Sequence, residues 1–161
     1  MLTAGCCLAL LTAGGVAYAA SISRADREFL DSAATIDMTE AHEGQMAQNG
    51  ASRPEVKQFA QTLVQDYTNS YGQIAELAAK ENVTIPKGIN AVRIRPIEQL
   101  GSLKGAQFDR QFAREQIVAE QRAIAVFKRE AEHGENADVK AYAAKTVPVL
   151  EKDLKQAQAL H

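Results

Sequence analysis

The sequence of 161 residues contains no tryptophan and few other aromatic side chains. Aromatic residues make up 6% of the chain, so there are few rings on which bases or sugars could stack. The 18 Lys and Arg residues nearly balance 20 Asp and Glu, the formal net charge is -2, and no block of basic residues stands out. We therefore do not expect nucleic acid among the partners.

The first part of the chain has no charged side chain and looks like a targeting segment. Its apolar run is too short to span a bilayer and is followed by an Ala-x-Ala pattern, Ala17 and Ala19, which is typical of signal-peptidase cleavage. We predict a signal peptide over residues 1–19 and a mature N-terminal tail over 20–25. The mature protein is expected to be periplasmic or secreted, with no transmembrane segment.

Cysteine is absent from the rest of the chain, because Cys6 and Cys7 both lie in this leader. The mature protein is therefore expected to have no disulfide, thiolate metal site or cysteine nucleophile. The residues that end at Cys6 also resemble a lipoprotein cleavage box, which leaves a lipid anchor as the alternative to cleavage near Ala19.

Beyond the leader, the hydrophobic pattern indicates helices and no strand. Four long helices are expected, over residues 26–49, 54–81, 106–133 and 137–160. Pro148 lies inside the last one and predicts a kink, because proline removes a backbone donor. A connection of about 24 residues between helices two and three is long enough to cross the molecule and to hold a short helix.

The short links on either side of that connection favour two antiparallel hairpins. We predict an all-α, up-down four-helix bundle over residues 26–161. In such bundles, metal and cofactor sites lie between the facing helices.

A few polar side chains fall within the apolar faces of these helices. Stepping 100° per residue places Glu40, Tyr67, Glu120 and Asp153 there, one on each helix. A carboxylate in a low-dielectric interior raises its pKa, pairs with a cation or coordinates a metal. Two interpretations stay open: a structural polar network that includes Gln116, or a site for a metal or another ligand.

Ferritin-like bundles hold two iron or manganese ions with inward carboxylates and Glu-x-x-His pairs. That spacing occurs once here, at Glu130 and His133, where the helix ends and a histidine more often interacts with the helix dipole. His42 projects away from the apolar face and His161 is terminal. The candidate ligands are therefore oxygen atoms, and Mn, Fe, Mg or Ca is the divalent ion considered.

Several spaced motifs support a family resemblance. They are Phe29-Leu30…Ala33-Ala34, Pro54-Glu55-Val56-Lys57…Phe59-Ala60, Gly105-Ala106…Phe108-Asp109-Arg110 and Ala143-Ala144-Lys145-Thr146…Pro148…Leu150. Their order resembles a family of exported bacterial domains of unknown function with a ferritin-like four-helix fold. The resemblance covers nearly all of the mature chain, and it implies a fold and an extracytoplasmic location but no activity.

The resemblance also bears on the four interior positions. In the family pattern an interior glutamate matches Glu40, while inward histidines often stand at the positions of Tyr67, Glu120 and Asp153. The loss of three imidazoles weakens a site for Fe, Zn or Cu and leaves hard oxygen ligands, which suit Mg, Ca or Mn.

No sequence feature points to an enzyme. The chain has no Gly-x-Ser-x-Gly elbow and no glycine-rich phosphate loop. We expect a non-catalytic exported bundle involved in envelope stress tolerance, acting through an unknown protein partner or as a homo-oligomer. The alternative is a metal-binding or redox protein that uses the interior carboxylates.

Overall fold

The computed structural model describes residues 22–161, which form five helices and contain no strand. The helices are α1 (Arg24–Gly50), α2 (Pro54–Lys80), α3 (Ala91–Ser102), α4 (Gly105–His133) and α5 (Ala137–Leu160). The all-α prediction is therefore confirmed for the described chain, with α3 inside the long connection. None of these helices has the length and apolar character needed to cross a membrane. The predicted signal peptide lies outside the described residues.

Local sequence signals fix where the helices begin and end. The side chains of Ser23, Asn90 and Asn136 accept backbone N–H groups at the starts of α1, α3 and α5, as capping residues do. After α2, Asn82 takes a positive φ of 55°, which asparagine tolerates better than most residues. At Pro148, where a kink was predicted, α5 continues as one helix.

The link between α1 and α2 contacts the other two long helices at one end of the molecule. The backbone N–H of Ser52 donates to Asp109 Oδ1 at 2.9 Å, near the start of α4. Arg53 Nη1 donates to the carbonyl of Leu160 at 2.9 Å, at the end of α5. The start of α4 and the end of α5 therefore lie at the end of the molecule where α1 meets α2.

The link between α4 and α5 lies at the opposite end. Asp26, in the first turn of α1, accepts the backbone N–H groups of Glu135 at 2.9 Å and Asn136 at 3.0 Å. Asn136 Nδ2 also donates to Glu81, which follows α2. Helices α1 and α5 therefore run in one direction, and α2 and α4 run in the other. A strict up-down alternation was wrong, because the connection that holds α3 crosses the length of the molecule before α4 begins.

Phenylalanine fills much of the interior. All five phenylalanines are buried, and Phe29 meets Phe127 edge to face, with ring centroids 5.1 Å apart. Phe108 stacks on Phe112 at 5.8 Å within α4. Large apolar side chains at helical spacing thus hold the four long helices together around the polar residues described next.

Candidate interior acid site

The four interior residues predicted from helical phase are all buried. Each comes from a different long helix: Glu40 from α1, Tyr67 from α2, Glu120 from α4 and Asp153 from α5. Their exposed fractions are 4%, 2%, 0% and 0%, respectively. The helical repeat that places their apolar neighbours in the core places these four side chains there too.

Hydrogen bonds satisfy only some of these polar atoms. The Tyr67 hydroxyl donates to Glu120 Oε1 at 2.9 Å, and Gln116 Nε2 donates to Glu40 Oε2 at 2.8 Å. The second oxygen of Glu120 and both oxygens of Asp153 are buried and have no hydrogen-bond partner. Such buried acceptors are costly unless a proton, water or cation reaches them.

The pKa of Glu120 depends on all three of the other residues. Burial raises the pKa of Glu120 to about 9, and the charges of Glu40 and Asp153 add to this effect, whereas the hydrogen bond from Tyr67 opposes it. Burial likewise raises the pKa of Glu40 to about 8 and that of Asp153 to about 6. We call Glu40, Tyr67, Glu120 and Asp153 the interior acid cluster.

A further buried acid adjoins the cluster and was missed by the sequence analysis. Glu43 is fully buried and accepts from Arg93 Nη2 at 2.5 Å and from Gln116 Nε2 at 3.3 Å. Burial raises the pKa of Glu43, although the Arg93 guanidinium opposes this. Glu43 lies three residues after Glu40 on α1, so helical periodicity could have predicted that it is buried on the same face. The contact with Arg93 could not have been predicted in this way, because it depends on how α3 packs against α1.

Asp37 forms a second buried acidic site one turn before Glu40. It is fully buried, and neither of its carboxyl oxygens has a hydrogen-bond partner. Burial raises the pKa of Asp37 to about 8, opposed by the nearby Ser70 hydroxyl. Ser70 Oγ and the Tyr142 hydroxyl are 2.6 Å apart, so they form a hydrogen bond beside Asp37.

The Glu-x-x-His pair does not join either group of acids. Glu130 is buried, and burial together with neighbouring Asp26 raises its pKa to about 7. His133 is exposed, and so are the chain's other histidines, His42 and His161. The interior therefore contains no imidazole that could serve as a metal ligand.

The predicted metal ligands do not form a metal site as their side chains stand. Within residues 22–161, no three or more His, Cys, Asp and Glu side chains are grouped so that they could hold a metal ion. The unpartnered oxygens of Glu120 and Asp153 are hard donors, the type that Mg²⁺, Ca²⁺ and Mn²⁺ prefer. The donor chemistry fits such an ion, but the side chains as placed do not complete a coordination shell.

Several solved structures are similar in fold. A DUF305 fragment from Deinococcus radiodurans has a TM-score of 0.76 at 14% identity, over 86% of this chain and 96% of that one. A DUF305 protein from Streptomyces coelicolor, described as a candidate secreted protein, has a TM-score of 0.74 at 14% identity, over 84% and 89%. CopM in its Cu(I)-bound form has a TM-score of 0.70 at 17% identity, over 83% and 93%. At these identities the likeness shows a shared fold.

Sequence comparisons define the family. No curated protein matches the chain. A family model described as "Domain of unknown function (DUF4142)" matches residues 11–160. The match spans nearly the whole sequence and agrees with the resemblance found in its motifs. The chain belongs to the DUF4142 family.

Proposed function

We propose that the chain is an exported ferritin-like four-helix-bundle protein whose interior acid cluster binds a divalent cation. Two helical hairpins joined by one crossing connection are typical of ferritin-like bundles, and α3 lies in that connection. Export is supported by the Ala-x-Ala pattern of the leader and by the likeness to a candidate secreted DUF305 protein.

One observation supports cation binding above the others. Glu120 and Asp153 are fully buried on facing helices, and three of their four carboxyl oxygens lack a hydrogen-bond partner. A cation would provide the missing interaction and would compensate the charge when the carboxyls lose their protons. Because no group of three ligands is present as the side chains stand, binding requires these carboxyls to turn towards a common point.

The donor atoms favour a hard ion over a soft one. CopM binds Cu(I), Cu(II) and Ag, and Cu(I) and Ag favour soft sulfur ligands. The interior acid cluster has only carboxyl and phenol oxygens. We therefore propose Mn²⁺, Mg²⁺, Ca²⁺ or Fe²⁺ as the ion, with the copper of the CopM structures as a poor match to this cluster.

A thermal melt of the chelator-stripped protein tests the proposal. An ion at about 100 times its dissociation constant stabilises the folded state by roughly 2.7 kcal/mol, so the melting temperature should rise by several degrees. The rise should disappear in Glu120→Gln and Asp153→Asn and persist in Glu76→Gln, a matched change at an exposed position. If none of the four ions raises the melting temperature of the natural sequence, cation binding is rejected.

A non-catalytic role in envelope stress tolerance is the physiological part of the proposal. It is supported by the enclosure of the acid cluster, whose members are at most 4% exposed and so offer little room for a substrate. Cells that lack the protein should be rescued by the natural sequence and by Glu76→Gln. Rescue by folded Glu40→Ala and Glu120→Ala variants would show that the role depends on a protein partner and not on the interior cluster.

A further inference from the structure

An open groove runs between α1 and α4, on the outer side of the interior acid cluster. It has a volume of about 400 Å³, within the roughly 300–1,000 Å³ typical of small-molecule sites. Ile36 and Thr39 of α1 form one wall, and Arg114, Val118 and Arg122 of α4 form the other. Arg93 of α3 also lines it, and we call this cleft the arginine groove.

The groove carries unpaired positive charge. Within residues 22–161, neither Arg114 nor Arg122 forms an ion pair or donates a side-chain hydrogen bond. They are eight residues apart on α4, with Val118 midway, so all three side chains share one face of the helix. The third cation, Arg93, is already paired with Glu43.

Two acids also line the groove, and each already accepts a hydrogen bond from an amide side chain. Glu115 Oε1 accepts from Gln111 Nε2 at 2.8 Å. Glu40 is only 4% exposed, and its Oε2 accepts from Gln116 Nε2 at 2.8 Å. Arg114 and Arg122 are exposed and unpaired, so an anion that enters the groove can reach both guanidinium groups.

Aliphatic side chains also line the groove. Val118 is 44% exposed, and Ile36 and Ala119 line the groove with it. A ligand that covers Val118 would remove apolar surface from water. The two arginines therefore favour a ligand with a negatively charged group, and the aliphatic side chains favour one that also has an apolar part.

From this arrangement we propose that the arginine groove binds a small organic anion that has a carboxylate or phosphate head and an aliphatic body. Arginine presents a planar set of donors that matches carboxylate and phosphate oxygens. The head lies against Arg114 and Arg122, and the aliphatic part covers Val118 and Ile36. This site adjoins the proposed cation site, since Glu40 lines the groove from the interior, but its ligand has the opposite charge and is held by different residues.

Isothermal titration of the protein with decanoate at low salt tests the proposal. Decanoate should bind, and decanol, which has the same chain without the charge, should bind at least about tenfold more weakly. The Arg114→Gln/Arg122→Gln variant should lose at least about tenfold in affinity for decanoate. The charge-matched Lys57→Gln/Lys155→Gln variant, altered at exposed positions of α2 and α5 outside the groove, should bind decanoate as the natural sequence does.

Further measurements distinguish a free organic anion from the headgroup of an anionic lipid, and three results would overturn the proposal. Binding to vesicles that contain anionic phospholipid, with no binding of free decanoate, would mean that a membrane surface is recognised and would overturn a small-molecule site. Equal losses in the two double variants, or equal affinities for decanoate and decanol, would also overturn it. The ion-dependent rise in melting temperature should be unchanged in Arg114→Gln/Arg122→Gln, so the two proposals fail independently.

Discussion

At the scale of single residues, the hydrogen bond between Tyr67 and Glu120 joins α2 to α4 through the middle of the protein. The bond is 2.9 Å long, and both side chains are at most 2% exposed. In this setting a lost partner is costly, because water cannot easily replace it. The phenol also opposes the effect of burial on the carboxyl, so it keeps the pKa of Glu120 lower than burial alone would make it.

Replacing the phenol tests the strength of this bond. Tyr67→Phe should lower the free energy of unfolding by about 1–3 kcal/mol, because Glu120 Oε1 loses its donor while the ring still fills its space. Chemical denaturation at pH 7 measures the loss. A double-mutant cycle with Glu120→Gln should give a coupling energy of about 0.5–3 kcal/mol. Additive effects of the two changes would contradict a direct interaction.

At the scale of helices, the α1–α2 hairpin depends on a close approach of the two backbones. A Cβ atom added at Gly44 would lie 2.9 Å from the carbonyl oxygen of Ala60 and 3.0 Å from Val64 Cγ2. The first contact is with backbone, which cannot move aside as a side chain can. Gly44 is therefore needed for its small size, even though glycine lowers helix propensity.

Alanine substitution at two helical glycines should have opposite effects. Gly44→Ala should lower the free energy of unfolding by about 1–3 kcal/mol, because the added methyl group overpacks the hairpin. Gly72→Ala, in α2 with no neighbouring atom within 4 Å of an added Cβ, should raise it by about 0.5–1 kcal/mol through helix propensity. Thermal or chemical denaturation of both variants measures this. Stabilisation by Gly44→Ala would show that the helices are farther apart than described.

Helical periodicity explains which of these features the sequence could predict. The period of 3.6 residues is local, so it predicted the long helices and the burial of Glu40, Tyr67, Glu120 and Asp153. The direction of α4 depends on whether a long connection crosses the molecule, and its length alone does not decide that. The metal ligation predicted for the four residues stays a prediction, because it depends on how far their carboxyls can move.

At the scale of the whole molecule, the buried acids couple folding to pH. Burial raises the pKa of Asp37 and Glu40 to about 8 and that of Glu120 to about 9, whereas carboxyls in an unfolded chain titrate near 4. Between these values the folded state binds more protons than the unfolded state. The stability that these groups contribute is therefore fully present below about pH 4 and is lost as pH rises through their folded-state pKa values.

The protein without added metal should consequently become less stable from pH 5 to pH 9. Each carboxyl that stays protonated only in the folded state contributes a slope on the order of 1.4 kcal/mol per pH unit. Denaturant unfolding at several pH values measures this slope, which should become shallower in Asp37→Asn and Glu120→Gln and stay unchanged in Glu76→Gln. A free energy of unfolding that is constant or rises over this range would mean that the interior carboxyls are ionised in the folded protein. A bound divalent cation should also flatten the slope, because it favours the ionised carboxyls and releases their protons.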